Sequence, residues 1–174
     1  MLHTIRIFFV LIIFISCNLI SEKELFAEDF DPKKFDIERG KKVFIRKAQC
    51  GICHGWDGAG TGRHPRSLAA TAPNIREFVS DYELLREVIA CGRPYTVMPY
   101  HDRMAYKDDR CYGMTIDDFE ESDLKPVKGY STLREKDIDD LVAFIMIKMI
   151  GAGKTTKEQC EDTFKPGHRN CQNF

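Results

Sequence analysis

The chain has 174 residues, with 26 Lys plus Arg against 27 Asp plus Glu and a formal charge of -1. Because domains cluster at about 100–150 residues, this length predicts one domain with appendages rather than two full domains. The balanced charge argues against a nucleic-acid or general membrane-surface binder. Charge is nevertheless uneven, with a sum of +4 over residues 31–49 and -4 over residues 101–125. We expect both runs to be solvated surface, with docking of a protein partner as the alternative.

The first 27 residues are predicted to be a signal peptide. After Arg6, the apolar run of residues 7–15 is far shorter than the ~20 residues that a membrane-spanning helix needs, and it fits the core of a secretory signal. Cleavage is expected after Ala27. The alternative is a lipoprotein-type signal acylated at Cys17, which would add a lipid anchor. Either route predicts an exported protein, and we expect a periplasmic location.

Six of the seven cysteines remain once Cys17 is set aside. An even number in an oxidising compartment predicts a covalent role for each. Two belong to the motif described below, and the other four are Cys91, Cys111, Cys160 and Cys171. These four allow three pairings. The short loops Cys91–Cys111 and Cys160–Cys171 are the most economical, because closing a short loop costs the least entropy.

The mature domain is predicted to span residues 28–152, and its first helix to begin at Asp36. Ile37, Gly40, Val43 and Phe44 share one face of this amphipathic helix. It leads directly into the sequence CGICH. The Gly- and Pro-rich stretch that follows shows neither helical nor strand periodicity in its apolar residues. That stretch is predicted to be a loop folded against something large.

The motif Cys50-Gly51-Ile52-Cys53-His54 carries the chemistry. Two cysteines three positions apart at a helix end can reach the two vinyl groups of one haem and form thioethers. His54 follows at once, which aims its imidazole at the iron as an axial ligand. A thioredoxin-like pair would need a βαβ setting, and a structural zinc site would need another close Cys or His pair. The sequence therefore predicts one covalently bound haem c.

A second helix is predicted at about residues 81–90, because Ser80 and Glu83 form a capping-box pattern and Gly92 ends it. The loop that follows carries Met98-Pro99. Pro99 cannot donate a backbone hydrogen bond and favours a fixed, extended course, which can present the Met98 sulfur to iron. The other candidates for a sixth ligand are Met104, Met114, Met146, Met149, His64, His101 and His168. For any single methionine, the alternative is that it fills the core.

Residues 101–131 have turn signals and no clear helix, and are predicted to be an insertion. Thr132 and Glu135 form a capping box ahead of a third helix, whose apolar residues repeat from Ile138 to Met149. No strand alternation of comparable length appears, so the fold class is predicted to be all-α. The polar tail, residues 153–174, is expected to need its disulfide to hold any shape.

The order of these elements resembles class I cytochrome c over roughly residues 36–150. The resemblance implies three main helices and irregular loops wrapped round one haem. It also implies that the first and last helices cross where Gly40 and Phe44 meet Leu141 and Phe144.

The resemblance further implies His54 and Met98 as the axial ligands, so that both are metal ligands and the cofactor-binding set is Cys50, Cys53, His54 and Met98. In this family a proline carbonyl accepts a hydrogen bond from the ligand histidine. Pro65 and Pro73 both qualify here.

With both axial positions filled, outer-sphere electron transfer is the remaining chemistry, and no catalytic residue is expected. We expect an electron carrier that accepts electrons from a dehydrogenase and passes them to an oxidase or another cytochrome. The insertion and the local cysteine pair look similar to cytochromes that serve periplasmic quinoprotein alcohol dehydrogenases. The alternative is a haem enzyme or a small-ligand sensor with an open iron position. Trp56 is expected to pack beside the haem.

Overall fold

The computed structural model describes residues 30–60, 72–119 and 125–174. The predicted signal peptide with Cys17, and also His64 and Pro65, lie outside these ranges. The helices are α1 (Ile37–Lys42), α2 (Gly51–His54), α3 (Tyr82–Cys91), α4 (Glu135–Lys148) and α5 (Lys157–Phe164). The strands are β1 (Tyr100–Asp102) and β2 (Lys128–Leu133). Among the described helices, none has the length and apolar character needed to cross a bilayer.

Helix α1 begins where the sequence predicts. The Asp36 carboxylate caps it by accepting a 2.9 Å hydrogen bond from the backbone N–H of Arg39. The helix continues as one π-helical turn, Val43–Lys47, in which Val43 and Phe44 are buried. This wider turn leads the chain into the CGICH motif.

Helices α1 and α4 cross at Gly40, as the resemblance implied. A Cβ atom at Gly40 would lie 2.7 Å from both the carbonyl carbon of Asp140 and the Cβ of Phe144, so only glycine permits this approach. The ring centroids of Phe44 and Phe144 are 5.9 Å apart, and Leu141 is fully buried. This crossing forms the centre of the core.

Two buried carboxylates of α4 hold the basic segment around α1. Asp140, 1% exposed, pairs with Arg39 and accepts a 2.9 Å hydrogen bond from the Asp36 backbone. Asp137 pairs with Lys47 at 2.7 Å. Part of the basic run predicted as solvated surface is therefore used in internal ion pairs.

These ion pairs predict a loss of stability in acid. Burial alone raises the pKa of the Asp137 carboxyl, but hydrogen bonds from Arg134 and Lys47 outweigh it and hold that pKa well below its usual range. The stabilisation is therefore complete above the pKa of about 4 that Asp137 has in the unfolded chain. It is lost as the pH falls towards the lower pKa that Asp137 has in the folded protein. In urea unfolding at pH 7, Asp137→Asn should lower the free energy of unfolding by about 1–3 kcal/mol, and this difference should shrink below about pH 4.

Asp139→Asn is the matched control, because Asp139 pairs with Arg86 at the half-exposed surface of the same helix. Its effect should stay below about 1 kcal/mol. If the difference in free energy of unfolding between the parent and Asp137→Asn does not change with pH, the lowered pKa of Asp137 would be contradicted.

Two predicted helix caps are wrong in detail. The N-cap of α3 is Asp81, whose carboxylate accepts a 2.7 Å hydrogen bond from Leu84 N–H, whereas the Ser80 hydroxyl only donates to the Asp81 carbonyl. Thr132 does not cap α4, because it lies in β2. The N-cap there is Arg134, whose backbone N–H donates to the Asp137 carboxylate at 3.2 Å.

Strands β1 and β2 pair in parallel at the two ends of the predicted insertion. Tyr100 lies opposite Lys128, and the Tyr100 N–H donates to the Val127 carbonyl at 2.8 Å. The fold is therefore mostly helical, in agreement with the predicted fold class, and it adds a small two-stranded sheet that the sequence did not indicate. Strands of three and six residues are too short for alternation to stand out in the sequence.

Both predicted disulfides are present, joining Cys91 to Cys111 and Cys160 to Cys171. The first ties the end of α3 to the insertion. The second joins α5 to the short 3-10 turn Arg169–Cys171.

The tail has more structure than its polar composition indicated. Thr156 and Gln159 form a reciprocal capping box, with the Thr156 hydroxyl accepting from Gln159 N–H and the Gln159 side chain accepting from Thr156 N–H. This pattern starts α5, so the disulfide is not the only local constraint on the tail.

Candidate haem-attachment site

The CGICH motif forms α2, a helix of one turn. Cys50 occupies the N-cap, and its carbonyl accepts a 2.9 Å hydrogen bond from His54 N–H. The spacing of three puts Cys50 and Cys53 on one face of this turn. Among the described cysteines, these two alone are outside disulfides.

The surroundings of the two thiols do not favour the alternative interpretations. Burial raises the pKa of the Cys50 thiol to about 12 and also raises the pKa of Cys53, whereas redox-active cysteines have lowered values. Within the described ranges, no three His, Cys, Asp or Glu side chains are grouped so as to hold a metal ion. A thioredoxin-like pair and a structural zinc site are therefore both poorly supported.

His54 is held by the segment that follows the Gly-rich loop. Its Nδ1 lies 3.2 Å from the carbonyl oxygen of Pro73. Because a carbonyl oxygen can only accept, Nδ1 carries the proton, and the lone pair of Nε2 remains available to a metal. Burial lowers the pKa of His54, and the bond to Pro73 offsets this only in part, so the neutral imidazole is favoured. Of the two prolines left open by the sequence, Pro73 makes this contact.

Backbone hydrogen bonds bring the two ends of the Gly-rich loop together. Gly60 N–H donates to the His54 carbonyl, and Ile75 N–H donates to the Gly58 carbonyl, each at 2.8 Å. Gly60 has φ +77°, and a Cβ there would lie 2.6 Å from the Ala72 carbonyl oxygen. The described ends of the loop therefore lie together beside α2, with Pro73 next to His54.

Met98 lies on a separate loop, directly after α3. Its carbonyl accepts from Arg93 N–H at 3.3 Å, and its N–H donates to the Thr96 hydroxyl at 3.2 Å. Gly92, with φ +68°, is needed there because a Cβ would come within 2.6 Å of the Met98 carbonyl oxygen. The structure thus brings Cys50, Cys53, His54 and Pro73 together, whereas it fixes Met98 on its own loop with a half-buried side chain.

Three other candidate ligands are engaged elsewhere. His101 is buried in β1, where Nδ1 bonds to the Ser131 carbonyl at 2.9 Å. The His168 ring stacks on a phenylalanine of α5. Met149 is buried and packs its sulfur against Gly58. These contacts favour a structural role for all three.

The remaining described candidates are half-buried methionines. Met104 and Met114 lie in the insertion, and Met146 lies on α4 against the core. Among all the methionines that the structure describes, Met98 is the one on a loop constrained by a close glycine contact and followed by proline.

Trp56 packs against the tail. Its ring centroid lies 5.4 Å from that of Phe164 and 6.0 Å from that of Phe174. The sequence offered no signal for these contacts, since more than 100 positions separate the partners in the chain. The haem-attachment segment and the C-terminal residues thus share one aromatic cluster.

These residues fit a haem that is held by two thioethers and ligated by a neutral imidazole, because both thiols are unpaired and Nδ1 is already bonded. A mostly helical domain with this site defines a c-type haem protein. The family model described as Cytochrome c matches residues 37–147, and the chain belongs to the cytochrome c family. It is a haem-based electron-transfer protein with haem c as its cofactor. No curated protein and no solved structure matches the chain.

Proposed function

We propose that this protein is a periplasmic monohaem electron carrier of the class I type. In this proposal Cys50 and Cys53 would attach one haem c, and His54 and Met98 would ligate its iron. The observation that carries it is the arrangement on α2, where two unpaired cysteines one turn apart precede a histidine whose Nδ1 is bonded to Pro73. The haem supplies a one-electron iron couple when bound.

His54, through its hydrogen bond to Pro73, and Met98 have distinct effects on that couple. The Pro73 carbonyl orients the His54 ring and raises the basicity of Nε2. The thioether of Met98 is a soft, neutral ligand that favours ferrous iron and so raises the reduction potential. Two protein ligands also leave no open position for oxygen or peroxide. These properties favour a carrier over an enzyme or a sensor.

The proposed donor is a periplasmic dehydrogenase, of which a quinoprotein is one kind, and the proposed acceptor is an oxidase or another cytochrome. The raised potential expected from Met98 ligation would favour this direction of flow. The insertion also supports a dedicated partner, since Cys91–Cys111 and the β1–β2 pair both hold it to the domain. Identifying the enzyme that co-purifies with the native protein tests the donor.

Covalent attachment is the first expected result. Protein matured in an export-competent host should carry the mass of one haem after acid–acetone extraction, because thioether bonds survive this treatment. A variant with both Cys50→Ala and Cys53→Ala should release its haem into the acetone. A polypeptide mass without haem in the parent would overturn the proposal.

A further inference from the structure

Arg76 is a buried cation whose side-chain hydrogen bonds to the described residues all go to neutral acceptors. It is 6% exposed, and its guanidinium donates to the carbonyls of Asp57 at 3.0 Å, Ala152 at 3.1 Å and Gly153 at 2.6 Å. A fourth bond, at 3.0 Å, goes to the side-chain oxygen of Gln159. A buried guanidinium needs such acceptors in place of water. The buried position of Arg76 is therefore stable only while these acceptors remain in place.

The acceptors come from two distant parts of the chain. Asp57 lies three residues after His54, whereas the other acceptors belong to the tail and the residue preceding it. The tail also binds Asp57 directly, since the Thr155 hydroxyl donates to its carboxylate at 2.5 Å. In addition, Gly151 N–H donates to the Arg76 carbonyl at 2.9 Å. The tail and the two residues before it are thus bonded to both Asp57 and Arg76.

Arg76 is also close in sequence to the acceptor of the His54 hydrogen bond. It belongs to the 3-10 turn Ile75–Glu77, which follows Pro73 and is capped by Asn74 through a 3.0 Å bond from Arg76 N–H. Only two residues separate Arg76 from Pro73, so the position of Arg76, together with the hydrogen bond from Ile75 N–H to the Gly58 carbonyl, constrains where the Pro73 carbonyl lies relative to His54.

We propose that Arg76 and the tail form a brace that positions the Pro73 carbonyl on His54 Nδ1, and that the tail thereby tunes the electron-transfer couple. The brace comprises Arg76, Asp57, Thr155 and Gln159. This inference rests on the proposed ligation by His54. Arg76 acts through Pro73, so it is a positioning residue.

The brace has a predictable effect on the reduction potential. A firm acceptor on Nδ1–H makes the imidazole a stronger donor and favours ferric iron. Weakening that bond should therefore raise the potential. Loss of a buried positive charge would act in the opposite direction, because a cation favours the less positive ferrous state. The sign of the shift in reduction potential therefore distinguishes a positioning role of Arg76 from an effect of its positive charge.

The test uses the full-length holoprotein with Arg76→Lys, which keeps the charge but loses the planar fork of donors. Exchange of the His54 Nδ1 proton is followed by NMR in the ferrous, 15N-labelled protein, together with the reduction potential. Exchange should become about tenfold faster, which corresponds to the loss of roughly one hydrogen bond, and the potential should rise. Gln159→Ala removes one tail acceptor without changing charge, and should shift both readouts in the same direction by less.

Asp162→Asn is the control on the same tail. It removes a 2.7 Å ion pair between Lys41 and a 75% exposed Asp162, away from the brace, and should leave the exchange rate unchanged. Parent-like exchange and potential in both Arg76→Lys and Gln159→Ala would overturn the proposal, as would a fall in potential. If Arg76→Lys does not fold, the exchange rate and the reduction potential of Gln159→Ala alone test the proposal. Failure of the proposed ligation is distinguishable, because the parent itself would then lack an iron-bound His54 in its NMR spectrum.

Discussion

Met98→Ala is expected to convert the protein from an electron carrier into a ligand-binding haem protein. Cys50, Cys53 and His54 are untouched, so haem should remain attached. Loss of the proposed sulfur ligand should lower the reduction potential, and the vacated iron position should admit small ligands. The reduced variant should therefore bind carbon monoxide, and the oxidised variant should gain weak peroxidase activity that the parent lacks. Spectral titration with carbon monoxide and a peroxidase assay measure both effects.

Met104→Ala and Met114→Ala are the matched controls, because both methionines are half-buried in the insertion. Neither should change the absorption spectrum or the access of ligands. If the parent already binds carbon monoxide readily and Met98→Ala alters nothing, the iron position is open or ligated by another residue. The carrier function would then give way to an enzyme or a sensor.

Gly40→Val is expected to have the largest effect on stability. A Cβ at this position would collide with the backbone of Asp140 and with Phe144 Cβ, neither of which can rotate away as the end of a flexible side chain could. Helices α1 and α4 would have to separate, which would also loosen the contact between Phe44 and Phe144. We expect the free energy of unfolding to fall by about 3 kcal/mol, at the upper end of the cost of overpacking.

Denaturant unfolding followed by circular dichroism measures this change. Lys42→Ala serves as the control, since Lys42 is exposed on the same helix and should change the stability by less than about 0.5 kcal/mol. A Gly40→Val variant within about 1 kcal/mol of the parent would mean that the close crossing of α1 and α4 is not required.

The features that could be predicted from the sequence are those that depend on local spacing. The Cys50–Cys53 spacing and the adjacent His54 indicate covalent haem attachment, because one helical turn is enough to place those groups. Helix α4 was evident from its apolar repeat. The disulfide pairs were also predicted, since short loops close at the lowest entropic cost.

Local patterns were less reliable at the ends of elements. Ser80 and Thr132 both have the chemistry of an N-cap, yet Asp81 and Arg134 hold these positions. The choice depends on where β2 ends and on how each helix packs, and such constraints are absent from a four-residue pattern. Strands β1 and β2 likewise depend on each other across the insertion for their hydrogen bonds.

The group that bonds to His54 could be identified only from the tertiary structure. Pro65 and Pro73 are equivalent candidates in the sequence, and in the structure the Pro73 carbonyl oxygen lies 3.2 Å from Nδ1. Arg76 is an unremarkable cation until the tail supplies the acceptors that allow its burial. The bonds from Arg76 to Gly153 and Gln159 join positions 77 and 83 residues apart, and the His54–Pro73 contact joins positions 19 residues apart. No local periodicity encodes them, because their free energy is gained only when distant segments pack together.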